Sequence, residues 1–592
     1  MASHENGDWY GDWYEAAREA AVRLTRVRSV SRSAGETEAA REVARLLRDS
    51  GLADAYTECG LDPLPGDPYG RHNAYAFLRG ASPRAVVLMG HIDTVDTADY
   101  GPLEPWATDP DALAARHETL RALFPEAAAD LAASPDDWMF GRGVADMKSG
   151  VAATIVVLRR LAARARASGA RPPLSVVLLA TVDEETESAG VLRAVRFLDE
   201  LRARHGLEYV GAINTDYTTD QYPGDPHRYI YTGTVGKLLP SLFVVGRPAH
   251  AGDPFAGLDA NLLAAELISD LSMNPDLCDA AHGHVTPPPV TLRAADLKTR
   301  YDTQLPFAAY LYLNVLTVTT TPGALLETLR ARAEAALARA LAHIDAAEER
   351  WRRVATAALA GETRGEEARM RAADVALAGE GQPRSGAALT YAALRDEVVE
   401  RLGEGRVGAD LADEWDRWPA DLDKRERTLH LTRCLWALSG REGPAVVIAY
   451  APPYYPHVAP EPSALHTAVA AVAAGRPELN LALRPYFPLL CDLSYLRLDP
   501  GVDLAPLTAN MPVWHDGDGD ADGGTAPQPG SYTLPLDAIR ALALPVVNLG
   551  PYGRGVHQPG ERVLMSYAFG ALPALIDETI ERLADLVASD SG

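Results

Sequence analysis

Four apolar runs with almost no alternation punctuate this chain, and each leads into residues that can bind a metal. Residues 84–89 (Ala85, Val86, Val87, Leu88, Met89) stop just before His91. Residues 174–182 deliver Asp183, Glu184 and Glu185, and residues 209–213 lead through Asn214 and Thr215 to Asp216. Residues 544–549 precede a turn-rich stretch that carries His557. Runs without the in–out rhythm of a half-solvated strand suit strands covered on both faces. Helical patterns lie between them, at 149–167 and 188–204. Strand, helix, strand at this spacing predicts an α/β domain with a central, mostly parallel sheet. In such sheets ligands gather beyond the carboxyl ends of the strands, which is where these acids and histidines fall.

The motifs follow one another in order: Gly90-His91-Ile92-Asp93-Thr94-Val95, then Gly141-Arg142-Gly143-Val144-Ala145-Asp146-Met147-Lys148, then Asp183-Glu184-Glu185, Asp216 and His557. Imidazole and carboxylate are ligands that suit zinc and its borderline neighbours. Neighbouring side chains such as Glu184 and Glu185 cannot share a face, so one can hold a metal while the other faces a substrate water. An isolated acidic triplet is ordinarily a solvated turn; four companion motifs change that reading. Asp216 is preferred over the nearby Asp220 because it follows its strand more directly.

This ordered set resembles the M20 family of metallopeptidases and amidohydrolases, which includes carboxypeptidases, deacylases and succinyl-diaminopimelate desuccinylases. Stretches such as Tyr301-Asp302-Thr303-Gln304-Leu305-Pro306-Phe307, Ala451-Pro452-Pro453-Tyr454-Tyr455-Pro456, Asp492-Leu493-Ser494-Tyr495 and Asn548-Leu549-Gly550-Pro551-Tyr552-Gly553 are similar to its RocB branch, which is tied to arginine utilisation. The resemblance spans residues 10 to 320 and 440 to 590. It implies a zinc-exopeptidase-like catalytic domain interrupted by an inserted α+β lid. It also implies two divalent metal ions, Zn2+ by default with Co2+ or Mn2+ as alternatives. By the same resemblance His91 matches the first ligand, and Asp146 the carboxylate that bridges both ions. Glu185 and His557 match the remaining ligands of one ion, and Asp216 that of the other. Asp93 matches the carboxylate that orients the histidine, and Glu184 the general base.

The stretch Gly246-Arg247-Pro248-Ala249-His250-Ala251-Gly252-Asp253-Pro254 resembles the signature of the family's second domain. There the histidine donates a hydrogen bond to a developing oxyanion, in its own subunit or a partner's, so His250 joins the candidates and a homodimer is an open expectation. One departure stands out. Ordinary members carry Asp-x-Arg near the end of a strand where Asn314-Val315-Leu316 stands here. Leucine cannot make the bidentate carboxylate contact of arginine, so anchoring of a free substrate carboxylate is altered or supplied from elsewhere, while amide hydrolysis is untouched.

At 592 residues the chain is too long for one ordinary core. The motifs predict catalytic segments at 1–236 and 442–592, with an inserted domain at 237–441. Thr321 can cap a helix with Pro322 at its first position. It opens a helical extension over 323–440, with helices expected at 323–359, 365–379, 389–403 and 421–438. The net charge of −25 speaks against nucleic acid and anionic membrane surfaces as partners. No run is long enough to span a bilayer, the first residues lack the pattern of a signal peptide, and four scattered cysteines show no framework. A cytoplasmic protein is the expectation. The acidic stretch at 516–523 fails as a calcium loop, because Pro529 stands where a bidentate glutamate is required. His282-Gly283-His284 reads as surface, and no Gly-x-Ser-x-Gly elbow or P-loop occurs. Two readings stay open: a metal-dependent amide or peptide hydrolase acting on a small molecule or short peptide, and a non-catalytic binding or assembly protein that keeps the fold.

Overall fold

The structure, a computed structural model, describes residues 11–49, 51–362, 385–516 and 528–589. The helix expected at 365–379 and the acidic stretch from 517 to 523 lie outside them, as do the first ten residues. The chain forms two compact units, one of Met1–Val235, Pro456–Pro500 and Pro535–Gly592, the other of Gly236–Tyr455 and Gly501–Leu534.

The first unit is built on an eight-stranded sheet. At its centre Arg84–His91 lies parallel to Ser175–Thr181 on one side and Glu208–Asn214 on the other. Val546–Asn548 continues parallel to Glu208–Asn214. These four strands are the four apolar runs of the sequence, and Ala85 to Met89 are wholly buried. The flanks were not legible. His72–Leu78 and Glu58–Pro63 add antiparallel on one edge. Arg228–Tyr231 turns antiparallel beside Val546–Asn548, and Leu481–Arg484 lies parallel to it at the other edge. Helix Ser149–Ser168 packs with Gly11–Arg26 and Leu572–Ser589. Ala152, Ile155 and Leu158 share one core with Val86 and Leu88 of the sheet. That rigid, doubly covered sheet holds the strand ends in place.

In the second unit the sheet runs in the order Val290–Asp296, Ala308–Thr317, Pro240–Val245, Ala445–Tyr450, Ala387–Thr390. Helix Ala260–Leu271 packs on the long helix Pro322–Glu362. The Thr321 hydroxyl accepts from Ala324 N at 3.3 Å, the cap its position called for. Helices Tyr391–Leu402, Glu404–Asp416 and Lys424–Ser439 close a second core through Leu394, Val407 and Leu435. By itself this unit is an α+β domain with a helical extension. The expected return to the catalytic domain at 442 differs from the observed one, because Ala445–Tyr450 pairs antiparallel with Pro240–Val245. An all-apolar strand looks the same in either sheet, so periodicity could not assign it.

Candidate metal centre

The four parallel strands at the centre of the first unit's sheet each lead into one acidic or histidine motif. His91 closes its strand opposite Thr181, whose chain continues into Asp183, Glu184 and Glu185. Asp216 follows Glu208–Asn214 and is fixed by Asn548 on the neighbouring strand. Its N–H donates to Asn548 Oδ1 at 3.0 Å, and Asn548 Nδ2 donates to its carbonyl at 2.8 Å. The chain then passes so close that a Cβ on Gly550 would lie 1.7 Å from the Asp216 oxygen, so only glycine fits. Asp220, the rejected alternative, instead accepts from the Tyr552 hydroxyl at 2.5 Å and pairs with Arg554 at 2.6 Å.

The two histidines face the two oxygens of one carboxylate. His91 Nδ1 lies 3.2 Å from the Asp93 carbonyl, which can only accept, so the hydrogen is assigned to Nδ1. In the neutral ring Nε2 then presents a lone pair toward Asp146 Oδ1, 2.8 Å away. The other oxygen of Asp146 lies 3.2 Å from His557 Nε2, which is also 3.0 Å from Glu185 Oε1. Two groups result, His91 with Asp146 and Asp216, and Asp146 with Glu185 and His557, the ligand atoms of each lying within 4.8 Å of one another. Asp146 belongs to both. His557 is held with φ at 58°, a left-handed conformation that a non-glycine residue rarely adopts. Glu184 is in neither group.

Asp93 does two things at once. Its carboxylate lies 3.5 Å from His91 Nδ1, and it accepts from the backbone N–H of Glu184 (3.1 Å) and Glu185 (3.2 Å) and from the Ser31 hydroxyl (2.7 Å). It therefore fixes the histidine and the tandem-glutamate turn together. Against the cost of burial, the bonds from His91, Ser31 and Glu185 keep it ionised, below the usual carboxylate range.

The charges test whether cations fit. Burial drives Glu184 well above the ordinary carboxylate range; His91 pulls it back, while Asp492, Glu185 and Asp216 push it further up. Burial and Asp146 push Asp216 and Glu185 up as well. Burial also raises Asp146, but bonds to His557 and His91 outweigh it and hold this carboxyl below its normal range. His557 is pushed up to about 10, first by its bonds to Asp146 and Glu185. His91 is likewise raised in spite of burial, by Asp146 and Asp93. The cluster holds more carboxylates than its two imidazolium ions can balance. Two imidazoles facing one shared carboxylate, amid more buried acids than they can balance, fit a pair of divalent cations.

Three partners of this centre escaped sequence reasoning as functional residues. Asp492 is buried, with Oδ2 accepting from Thr181 Oγ1 at 3.1 Å and Oδ1 without a hydrogen-bond partner among the described residues; burial pushes it up to about 7. In the sequence its motif marks only the similarity to the RocB branch. Ser31 and Glu561 carried no pattern at all. His250 lies in the second unit and is exposed. Its Nδ1 accepts from Gly252 N at 2.9 Å, which leaves the ring hydrogen on Nε2, 3.3 Å from the Thr303 hydroxyl. Among the described residues no helix is long and apolar enough to cross a membrane.

Residues 87–502 match the family described as Peptidase family M20/M25/M40. An uncharacterized protein, YqjN of Bacillus subtilis (strain 168), is 30% identical over 568 residues, covering 95% of each chain. Protein RocB of the same organism is 30% identical over 536 residues, covering 88% of this chain and 86% of its own. A succinyl-diaminopimelate desuccinylase of Xanthomonas campestris pv. campestris (strain B100) is 29% identical over 194 residues, or 32% of this chain and 43% of its own. The chain belongs to the M20 family and is a metallohydrolase of amide or peptide bonds.

Proposed function

We propose that this M20 enzyme cleaves an amide or peptide bond in a small N-acyl or peptide-like substrate, with Glu184 as general base. His91, Asp146 and Asp216 would hold one divalent cation, and Asp146, Glu185 and His557 the other. Zinc suits this donor set best, and cobalt or manganese suits it nearly as well. The observation that carries the reading is Asp146, whose two oxygens face two imidazoles 2.8 and 3.2 Å away.

When bound, the cations supply Lewis acidity that polarises the scissile carbonyl and makes a water easier to deprotonate. Glu184, outside both ligand groups, takes the proton of the attacking water and hands it to the leaving amine. The Asp93 carbonyl would hold the hydrogen of His91 on Nδ1, so that the Nε2 lone pair faces Asp146. His250 donates its Nε2 hydrogen to the developing oxyanion, in its own subunit or in the partner subunit of a homodimer. Leu316 stands where a carboxylate-anchoring arginine would, so substrate selection does not rest on that contact.

The likeness to RocB supports a link to arginine catabolism, and the charge of −25 supports a cytoplasmic enzyme that avoids nucleic acid and membranes. The test is to strip the protein with a chelator, reload it, and incubate it with N-acyl amino acids, dipeptides and arginine-derived amides under mass detection. Product should appear only after reloading. Undiminished hydrolysis by the stripped protein, or no product from the loaded protein across the panel, would sink the reading.

A further inference from the structure

The loop bearing Asp146 and the hairpin bearing His557 are far apart in sequence, yet one side chain joins them. Strand Arg562–Leu564 pairs with Trp138–Phe140, which brings the hairpin alongside the 141–148 loop. At that junction Glu561 is 1% exposed. Its Oε1 accepts from the backbone N–H of Ala145 at 3.1 Å and of Asp146 at 3.2 Å. Its Oε2 meets Arg142 Nη1 at 3.0 Å, and its carbonyl accepts from Gly141 N at 3.2 Å. Arg142 is equally buried and spends its other donors on the Asp96 carbonyl (3.1 Å) and Asp99 (2.6 Å). A carboxylate buried this deeply is retained only where it is paired and hydrogen-bonded, and here every contact runs to the Asp146 loop. It stands four positions after His557.

We infer that Glu561 is a positioning residue for the second ligand group: it sets the Asp146 backbone and the His557 hairpin in one fixed relation before any cation binds. The inference rests on the two-cation reading. The Asp216 side of the first group is fixed by Asn548 instead, so the two groups should respond differently to loss of Glu561. Glu561→Gln keeps the size but offers one acceptor and one donor. Whichever way the amide turns, either the pair of N–H groups or Arg142 meets another donor.

The experiment titrates metal-stripped wild type and Glu561→Gln with Zn2+ by calorimetry and with Co2+ by visible absorption. Loss of a partner behind a metal ligand weakens binding about 10–100-fold. That loss is expected to be greater for the cation of the Asp146, Glu185 and His557 group than for the other, which shares only Asp146 with it, with the far-ultraviolet circular dichroism preserved. Two wild-type affinities in the variant, or equal weakening of both sites, would overturn the inference. A second measurement needs no variant. Hydrogen exchange on stripped wild-type protein, read by mass spectrometry with residue-level fragmentation, should show the Ala145 and Asp146 amides protected without metal. Exchange at open-loop rates would refute the clamp. If wild type takes up fewer than two cations, the two-cation reading fails, while the exchange result still judges Glu561.

Discussion

Replacing Asp93 with asparagine should damage both stability and metal affinity through one atom. The carboxylate accepts from Glu184 N, Glu185 N and the Ser31 hydroxyl at 3.1, 3.2 and 2.7 Å, and lies beside His91. An asparagine presents one acceptor and one NH2. If its oxygen serves Glu184 N, the NH2 faces Glu185 N; Ser31 can rotate its hydroxyl and accept, but a backbone N–H cannot reverse. One buried bond is then lost outright and the other falls from charged to neutral. Hydrogen bonds to a charged group contribute about 1.5–3 kcal/mol and neutral ones about 0.5–1.5. The variant should therefore unfold about 2–4 kcal/mol more easily. Metal affinity should fall by up to about 10–100-fold, the usual loss when support behind metal ligands is weakened, because the turn that carries Glu185 loses a bond and the charge beside His91 is gone. Guanidinium unfolding of the stripped protein measures the first effect, and zinc competition with a chelator the second. Stability within experimental error of wild type, together with unchanged zinc affinity, would refute the claim that Asp93 ties His91 to the tandem-glutamate turn.

His250→Ala should lower kcat about 10²–10³-fold, the usual cost of one oxyanion donor, with both cations retained; metal loss in that variant would contradict a purely hydrogen-bonding role. In the second unit, burial raises Asp279, but the N–H groups of Thr319, Val318 and Thr320 and the Thr319 hydroxyl outweigh it and hold the carboxyl far below its ordinary range. A depressed folded value means that its contribution is complete above the unfolded value of about 3.9 and fades as pH falls toward the folded one. The stability gap between wild type and Asp279→Asn should accordingly be wide at neutral pH and narrow in acid; a gap that widens in acid would reverse the sign and defeat the argument.

Much of the core was legible because burial on both faces leaves a mark: the four unalternating apolar runs are the four parallel strands at the middle of the sheet. The flanking strands left none. Glu58–Pro63 and Leu481–Arg484 are only partly covered edges and carry charges, so their sequence reads as loop. Ala445–Tyr450 carries the mark of a buried strand but not of the sheet it joins. At the site, the side chains that converge on Asp146 were legible as candidates because histidines and acids in a distinctive order are chemically conspicuous. Glu561, Ser31 and Asp492 act through backbone or hydroxyl contacts across 311 to 416 residues or, for Ser31, 62. Only folding brings such partners together, and a single acid or serine has no pattern to betray it.

The tandem glutamates offer the most direct test of the central claim, since one is assigned to proton transfer and its neighbour to metal. Glutamine keeps size and hydrogen-bonding capacity but accepts no proton at neutral pH. Glu184→Gln and Glu185→Gln should be loaded in parallel, counted for bound zinc, and assayed on the substrate that the panel identifies. Glu184→Gln should bind two cations and lose turnover by at least the 10²–10⁴-fold typical of a general base. Glu185→Gln should lose one cation first and regain part of its activity at high metal concentration. Near-normal turnover in Glu184→Gln, or equal metal loss in both variants, would contradict the account.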